Sequence, residues 1–214
     1  MAPAARKSEP RPVAVFAKAP VPGEVKTRLV PVLGAEAAAE LHQSLVRRAV
    51  ATAKAAGLGP VSLWCTPDTG HPFFAACAAQ YGVTLHEQRG GHLGERMERT
   101  LGVLLLQGPA LLIGSDCPAL RPEDLRAAAG SLATHDAVLQ PAEDGGYVLV
   151  GLSREVPGLF EGIRWGGADV MRQTRARLRE AGATWREMPT RWDVDRPEDY
   201  RRLVASGLIA EGDR

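Results

Sequence analysis

PVAVFAKAPVPGEVKTRL, residues 12–29, opens with an apolar run of strand length and passes directly into a loop carrying Pro20, Pro22 and Gly23. The following AEAAAELHQSLVRRAVATAKAA, residues 35–56, is built from strong helix formers and stops at Gly57, a residue that ends helices by adopting a left-handed conformation. Strand, loop and helix thus form one unit, and the pattern recurs along the chain. Strands are read at 61–65, 83–86, 110–113, 137–140, 147–150 and 185–188. Helices are read at 72–80, 93–106, 122–132, 168–181 and 197–208. Such alternation predicts a single α/β domain with a mostly parallel central sheet flanked by helices and joined by right-handed crossovers. Residues 1–12 are polar and proline-bearing and read as a loose tail, leaving 13–214 as the domain. In sheets of this kind ligands bind outside the carboxyl ends of the strands, so the loops after the strands carry the functional expectation.

The chain has 214 residues, 45% hydrophobic and 24% charged, the profile of a globular protein with a sizeable core. Lys and Arg total 26 against 25 Asp and Glu, so no global basic field points to nucleic acid, although a local cationic pocket is compatible with that sum. No apolar run approaches membrane-spanning length, and the first residues lack the apolar segment of a signal peptide. Cys65, Cys77 and Cys117 have neither CxxC nor zinc-like spacing, and an odd number of cysteines suggests reduced thiols in the cytoplasm.

Four stretches carry chemistry. In FAKAPVPGEVKTRL, residues 16–29, the loop after the first strand presents Lys18, Lys26, Thr27 and Arg28 near Gly23. Fixed cations and a hydroxyl on a loop that approaches closely suit a polyphosphate. Val25 stands where a Walker A loop needs glycine, so the loop is of another kind; the alternative is a solvated basic loop. In GSDCPAL, residues 114–120, a buried strand runs into Asp116. A carboxylate there is costly unless it is paired or binds a metal, and magnesium takes one or two carboxylates plus substrate phosphates. A turn or helix-capping role is the alternative, and Cys117 reads as a packing residue.

In PAEDGGYVLVGL, residues 141–152, Gly145 and Gly146 allow close backbone approach to a ligand, while DGG between apolar runs equally signals a hairpin. In RWDVDRPEDYRRL, residues 191–203, Asp193 and Asp195 alternate about Val194 and face one side of an extended segment. One of them is expected to join Asp116 around a metal, with Asp195 as a helix cap the competing reading. Two weaker stretches remain. QRGGHLGERM, residues 88–97, suits the cradling of a base or ribose, with Gly91 and Glu95 as candidates. FEGIRWGGADVM, residues 160–171, either lines the acceptor side or simply packs Trp165. His42, His71, His86 and His135 show no metal spacing and are read as surface or core residues.

Taken together and in this order, FAKAPVPGEVKTRL, LGERM, GSDCPAL, EDGGYVLVGL and DVDRPEDY resemble the nucleotide-diphospho-sugar transferase superfamily, with its GT-A-like fold. They most resemble a bacterial family labelled as glycosyltransferases and associated with radical-SAM and selenium-related genes, and the resemblance covers nearly the whole chain after residue 12. His92 departs from it, standing where the pattern has an acidic residue. The layout is also similar to 2-phospholactate and phosphoenolpyruvate guanylyltransferases. By position, the resemblance implies that Lys26 and Arg28 hold phosphates, Asp116 binds Mg²⁺ (or Mn²⁺), and Asp193 or Asp195 completes the metal site. Gly145 and Gly146 would then admit the acceptor or ribose.

The expected activity is nucleotidyl transfer from an NTP to a phosphorylated small acceptor, with pyrophosphate released and no general base needed because the acceptor is already ionised. The alternative is glycosyl transfer from an NDP-sugar, for which Asp144 or Asp193 would serve as base. GSD in place of Asp-x-Asp and DVD near the C-terminus favour the first.

Overall fold

The computed structural model describes residues 10–208. Seven strands, β1 (Val13–Lys18), β2 (Val61–Thr66), β3 (Thr84–Glu87), β4 (Ala110–Gly114), β5 (Ala137–Pro141), β6 (Tyr147–Leu152) and β7 (Trp185–Glu187), form one sheet in the order β3-β2-β1-β4-β6-β5-β7. β3, β2, β1 and β4 run parallel, as do β5 and β7; β6 alone is antiparallel to its neighbours. The expectation of a mostly parallel sheet in one α/β domain holds, and the DGG segment is indeed the turn of a β5–β6 hairpin. The register of that hairpin shifts between Gln140 and Pro141, where proline has no N–H to give the ladder.

Helices α1 (Val30–Leu33), α2 (Ala35–Ala56), α3 (Pro72–Tyr81), α4 (Leu93–Leu105), α5 (Pro122–Ser131), α6 (Val170–Glu180) and α7 (Pro197–Ser206) connect the strands. α1 is a single turn of four residues, too short to leave a periodic signal in the sequence. α2 follows the reading to the residue, because alanine-rich propensity and the left-handed Gly57 (φ 65°) act on the same stretch.

The sheet is covered on both faces. One cluster joins β1, β2 and β4 to Val46, Val50 and Ala53 of α2, Phe73 and Phe74 of α3, and Leu125 of α5. The other packs Phe16, Leu112 and Val150 against Met97 and Leu101 of α4 and Met171 and Leu178 of α6. A third, smaller cluster sets the site: Leu29 from the first loop and Leu41 and Leu45 of α2 enclose Trp192, Val194 and Leu203. Apolar burial therefore seats the C-terminal acidic segment beside the loop that follows β1, although the two lie at opposite ends of the sequence. Of the N-terminal tail, residues 1–9 lie outside the described residues, while the Arg11 N–H donates to the Leu58 carbonyl at 3.0 Å. No helix among the described residues is long and apolar enough to cross a membrane.

Candidate functional site

β1 and β4 lie side by side, with β2 and β3 beyond β1 and the antiparallel β6 beyond β4. Their carboxyl ends deliver Lys18 and Asp116 to a cavity of about 410 Å³. Lys18, Thr66, Gln88 and Arg96 line it on the β1–β3 side; Asp144, Gly146, Tyr147 and Trp165 line it on the β6 side.

Asp116 is the centre of the arrangement. Its Oδ1 is sequestered from solvent, yet the side chain as a whole is 48% exposed, so Oδ2 is the oxygen turned to the cavity. Lys26 holds the inner oxygen: its Nζ lies 2.5 Å from Asp116 Oδ1 and donates to the Val194 carbonyl at 2.6 Å, with the side chain only 4% exposed. Lys26 adopts φ 48°, the one non-glycine positive φ among the described residues, a strained conformation that turns its stem inward. The Val194 N–H donates to the Asp116 carbonyl at 2.9 Å, so the DVD segment is clipped to Asp116 through backbone on one side and through Lys26 on the other. Burial alone would raise the Asp116 carboxyl; the Lys26 cation, His42 and hydrogen bonds from Lys26 and Ser115 outweigh it and hold the group below the usual aspartate range.

His42, which by sequence reads as a surface or core residue, is instead part of the site. It is 4% exposed on α2, bonds through Nε2 to the Lys18 carbonyl at 3.0 Å, and places Nδ1 3.8 Å from Asp116 Oδ1. Burial depresses its basicity further than Asp116 raises it. A helical histidine among apolar neighbours carries no signal of this proximity until the turn of α2 facing β1 is known. Arg48, six residues along the same helix, donates to the Pro118 carbonyl at 2.8 Å and steadies the loop that bears Asp116.

The two acids of the C-terminal pair separate in role. Asp193 is pushed up to about 6, first by burial and then by the nearby carboxylates of Asp144 and Asp116. Asp195 instead forms an ion pair with Arg28. It is not a helix cap either, because Asp199 accepts from the Arg196 N–H at 2.8 Å and closes the start of α7. Asp193 thus lies near enough to Asp144 and Asp116 to feel both carboxylates, yet with Asp144 and Asp195 it lines a second hollow of about 340 Å³ and is not among the lining residues of the cavity that holds Asp116. Among the described residues, no three His, Cys, Asp or Glu side chains converge closely enough to hold a metal ion by themselves.

The remaining candidates divide in the same way. Lys18 lines the cavity, and its Nζ donates to the Glu24 carbonyl at 2.8 Å. Gly23, Thr27 and Arg28 are exposed in the loop after β1, and neither Thr27 nor Arg28 lines the cavity. Glu95 turns away from the cavity, accepting from the Gly91 N–H at 2.8 Å and pairing with Arg99 at 2.5 Å; Glu95 and Gly91 therefore close the turn ahead of α4. His92 caps that helix, its Nδ1 accepting from the Glu95 N–H at 3.2 Å. From the same segment, Gln88 and Arg96 do line the cavity. Gln88 Nε2 donates to the carbonyls of Trp64 and Ala17, and Arg96 is held by the Gly90 carbonyl and Thr66 Oγ1.

Gly146 lines the cavity and donates its N–H to Asp144 Oδ1 at 2.8 Å. Gly145 (φ 92°) serves a different end: a Cβ there would stand 2.2 Å from the Ala168 carbonyl oxygen, so glycine lets the loop before α6 pack on the hairpin. Cys117 is buried, and its thiol is pushed up to about 12 by that burial, as befits a packing residue.

Trp165 is both packed and part of the cavity wall. Its edge rests on Gly94 of α4, where an added Cβ would meet the Phe160 carbonyl oxygen at 2.8 Å and the indole at 2.9 Å. The glycine of LGERM therefore seats the tryptophan. Gly94→Ala is expected to lower stability by about 1–2 kcal/mol despite its better helix propensity, because backbone cannot yield to the added methyl. Thermal or urea unfolding checks this; a more stable variant would contradict it.

Residues 49–167 match the model of the family described as "Uncharacterized protein conserved in bacteria (DUF2064)". A crystal structure from Desulfovibrio desulfuricans G20, provisionally described as a nucleotide-diphospho-sugar transferase, is 31% identical, covers 95% of this chain and 90% of its own, and superposes with a TM-score of 0.84. At the level of fold alone, the inositol-1-phosphate CTP transferase of T. maritima is 12% identical with a TM-score of 0.61, over 95% of this chain and 98% of its own. A manganese complex of Rv0371C from Mycobacterium tuberculosis H37Rv is 19% identical with a TM-score of 0.56, over 92% and 99%. No curated protein matches the chain. With most of its length inside the family model and that degree of identity to a solved relative across nearly its whole extent, the chain belongs to the DUF2064 family and has the nucleotide-diphospho-sugar transferase fold.

Proposed function

We propose that the protein is a divalent-metal-dependent transferase acting on nucleotides, transferring a nucleotidyl group from an NTP to a phosphorylated small acceptor with release of pyrophosphate. The observation that carries this reading is Asp116: one carboxylate oxygen is pinned by a buried lysine and the other is open to the cavity, which Asp144 also lines, while Asp193 feels the charge of both. Mg²⁺, or Mn²⁺ in its place, takes one or two carboxylates and completes its shell with water and substrate phosphates, which fits a site where protein oxygens alone do not close a cage. Asp116, with Asp193 beside it, would hold the ion. When bound, it would neutralise charge developing on the phosphates.

The chain's own residues have distinct tasks in this reading. Lys26 orients Asp116 and does not itself reach the phosphates. His42 backs the same carboxylate from α2. Lys18 and Arg28, 45% and 60% exposed, are the loop cations available to phosphate oxygens, and each would exchange an internal carboxylate, Glu24 or Asp195, for the ligand. Gln88, Thr66 and Arg96 present polar groups to the base or ribose. An acceptor phosphate oxygen attacks the α-phosphorus as the bond to pyrophosphate breaks, and because that oxygen is already ionised, no residue need remove a proton.

Glycosyl transfer from an NDP-sugar is the second reading, favoured by Asp144. Its Oδ1 is held by Gly146 and its carboxylate lines the β6 side of the cavity, where it could accept the proton of an acceptor hydroxyl. A thermal-shift panel of the four NTPs and common NDP-sugars with Mg²⁺ tests both. A ligand at about a hundred times its Kd adds roughly 2.7 kcal/mol, a shift of about 5–10 °C for a chain of this size. A shift with one NTP that disappears in EDTA supports nucleotidyl transfer. A larger shift with an NDP-sugar than with its NTP supports the second reading, and none with either class counts against both.

A further inference from the structure

The sheet has an edge at β7 and another at β3, and they are built differently. β7 is three residues long, with Arg175 bonded to both carboxylate oxygens of Glu187 and the Arg179 guanidinium over Trp185. Charged side chains of this kind blunt an edge against further pairing. β3 carries no proline or lysine, keeps a regular register with β2, and has no strand beyond it among the described residues. The Gln88 N–H donates to the Cys65 carbonyl at 2.9 Å. By strand alternation His86 therefore turns its backbone polar groups toward β2, and Leu85 and Glu87 turn theirs outward, unpaired. Beside this edge a groove of about 610 Å³ lies between β3 and α4, with Trp64, His86, Val103 and Leu106 in its lining. Leu106 is 87% exposed and Val103 48%; with Leu93 they make three of the five large hydrophobics exposed among the described residues. The charges around the groove balance, Arg89 and Arg99 against Glu87 and Glu95.

We propose that a second copy of the chain docks on this face, β3 pairing antiparallel with β3 of the other copy about a twofold axis at His86. Leu85 of each copy then stands opposite Glu87 of the other, and each such pair exchanges two N–H···O bonds, so every outward backbone group of both residues is satisfied. The row is its own complement, as a twofold interface requires. The axis is perpendicular to the sheet, so both α4 helices lie on one side of it. The two grooves meet there over the His86 rings, each stacked on Trp64 at 4.7 Å, and cover Val103 and Leu106. The charge balance selects this occupant: it offers no field to draw an acidic or a basic segment, and no repulsion to hold two copies apart. The inference rests on the fold and is independent of the nucleotide reading. It does touch the cavity wall, because Gln88, which lines the cavity, directly follows the paired edge.

The test is sedimentation equilibrium of the full chain over about 5–100 µM, where mass action makes a dimer visible. Wild type is expected to reach twice the mass of the chain. Leu106→Lys charges the exposed apolar flank, and Glu87→Pro removes an outward N–H that β2 does not use; each is expected to weaken association by about tenfold or more. Val204→Lys, at an exposed apolar position on α7, is expected to leave it unchanged. Should Glu87→Pro fail to fold, Leu106→Lys carries the comparison. In the proposed register the two His86 side chains face one another with Cβ atoms about 4.5 Å apart, so His86→Cys is expected to form a disulfide between copies under mild oxidation. Cys65, Cys77 and Cys117 are buried, which leaves the introduced thiol as the accessible one. A chain that remains monomeric throughout overturns the pairing and leaves the edge to a strand from another protein. A dimer that Leu106→Lys does not weaken, or that Val204→Lys weakens equally, places the interface elsewhere and overturns it as well. A dimer in which His86→Cys does not cross-link overturns the antiparallel register about His86.

Discussion

Asp116→Asn is expected to abolish metal-dependent nucleotide turnover, by about 10²–10³-fold or more, and also to destabilise the fold. The first effect follows from removing the charge at the oxygen turned to the cavity. The second follows from Lys26, whose ammonium is almost fully buried and loses its counter-charge, keeping only the Val194 carbonyl. Breaking a fully buried pair costs about 3–5 kcal/mol; with Asp116 half exposed, about 2–3 kcal/mol is expected. Adding Lys26→Met to Asp116→Asn removes the orphaned cation and should recover much of the stability but none of the activity, which separates the two effects in urea unfolding and turnover assays. A single variant with wild-type stability would mean that Lys26 finds another partner, and one with wild-type turnover would remove Asp116 from the metal assignment. In the wild-type protein the carboxyl is held below its unfolded range, so its stabilisation is present at neutral pH and is lost as pH falls below about 3.9 through the depressed folded value.

Asp193→Asn is expected to act in the opposite direction on stability. Asp193 titrates at about 6 in the folded chain, against about 3.9 for an unperturbed aspartate. Between those values the folded state binds more protons than the unfolded state, so the contribution of this residue is fully favourable at low pH and is lost as pH rises through 6. The asparagine variant carries no such charge beside Asp144 and Asp116. In metal-free buffer at pH 7–8 it should be more stable than wild type by about 2–3 kcal/mol, and the gain should vanish near pH 4. Denaturant midpoints measured at pH 4, 6 and 8 in EDTA decide this; a variant uniformly less stable across that range would show that Asp193 is held by compensating contacts. Under the proposed function the same variant should also weaken Mg²⁺-dependent binding, so its stability and its activity would move apart, as they commonly do where like charges are gathered for a ligand.

Much of this architecture was legible from local chemistry. Helix α2 is readable because alanine-rich propensity, apolar spacing and Gly57 agree on one stretch. The strands are readable because each is a short apolar run between turn residues. Asp116 stood out as a carboxylate directly after a buried strand, and the Asp193–Asp195 pair as two acids on one side of an extended segment. These are statements about neighbours in sequence, which propensity and periodicity carry.

Which of these groups meet was decided by the tertiary structure. Lys26 and Val194 are 168 positions apart and touch because Leu29, Leu45, Trp192 and Val194 bury one another. That burial sets Asp193 within the electrostatic reach of Asp144 and Asp116 and leaves Asp195 to Arg28. It also turns Lys26, which by type reads as a phosphate ligand, into the inner support of a carboxylate. His42 has no local mark at all: its role depends on which face of α2 lies over the end of β1. Gly94 and Trp165, 71 positions apart by their residue numbers, form one structural unit because a missing side chain leaves room for an indole edge. Residue type and spacing set secondary structure and nominated the acids. Partner, burial and charge state arise only where packing brings distant segments into a shared environment, since the electrostatic and steric terms that define them act between residues the chain itself does not place side by side.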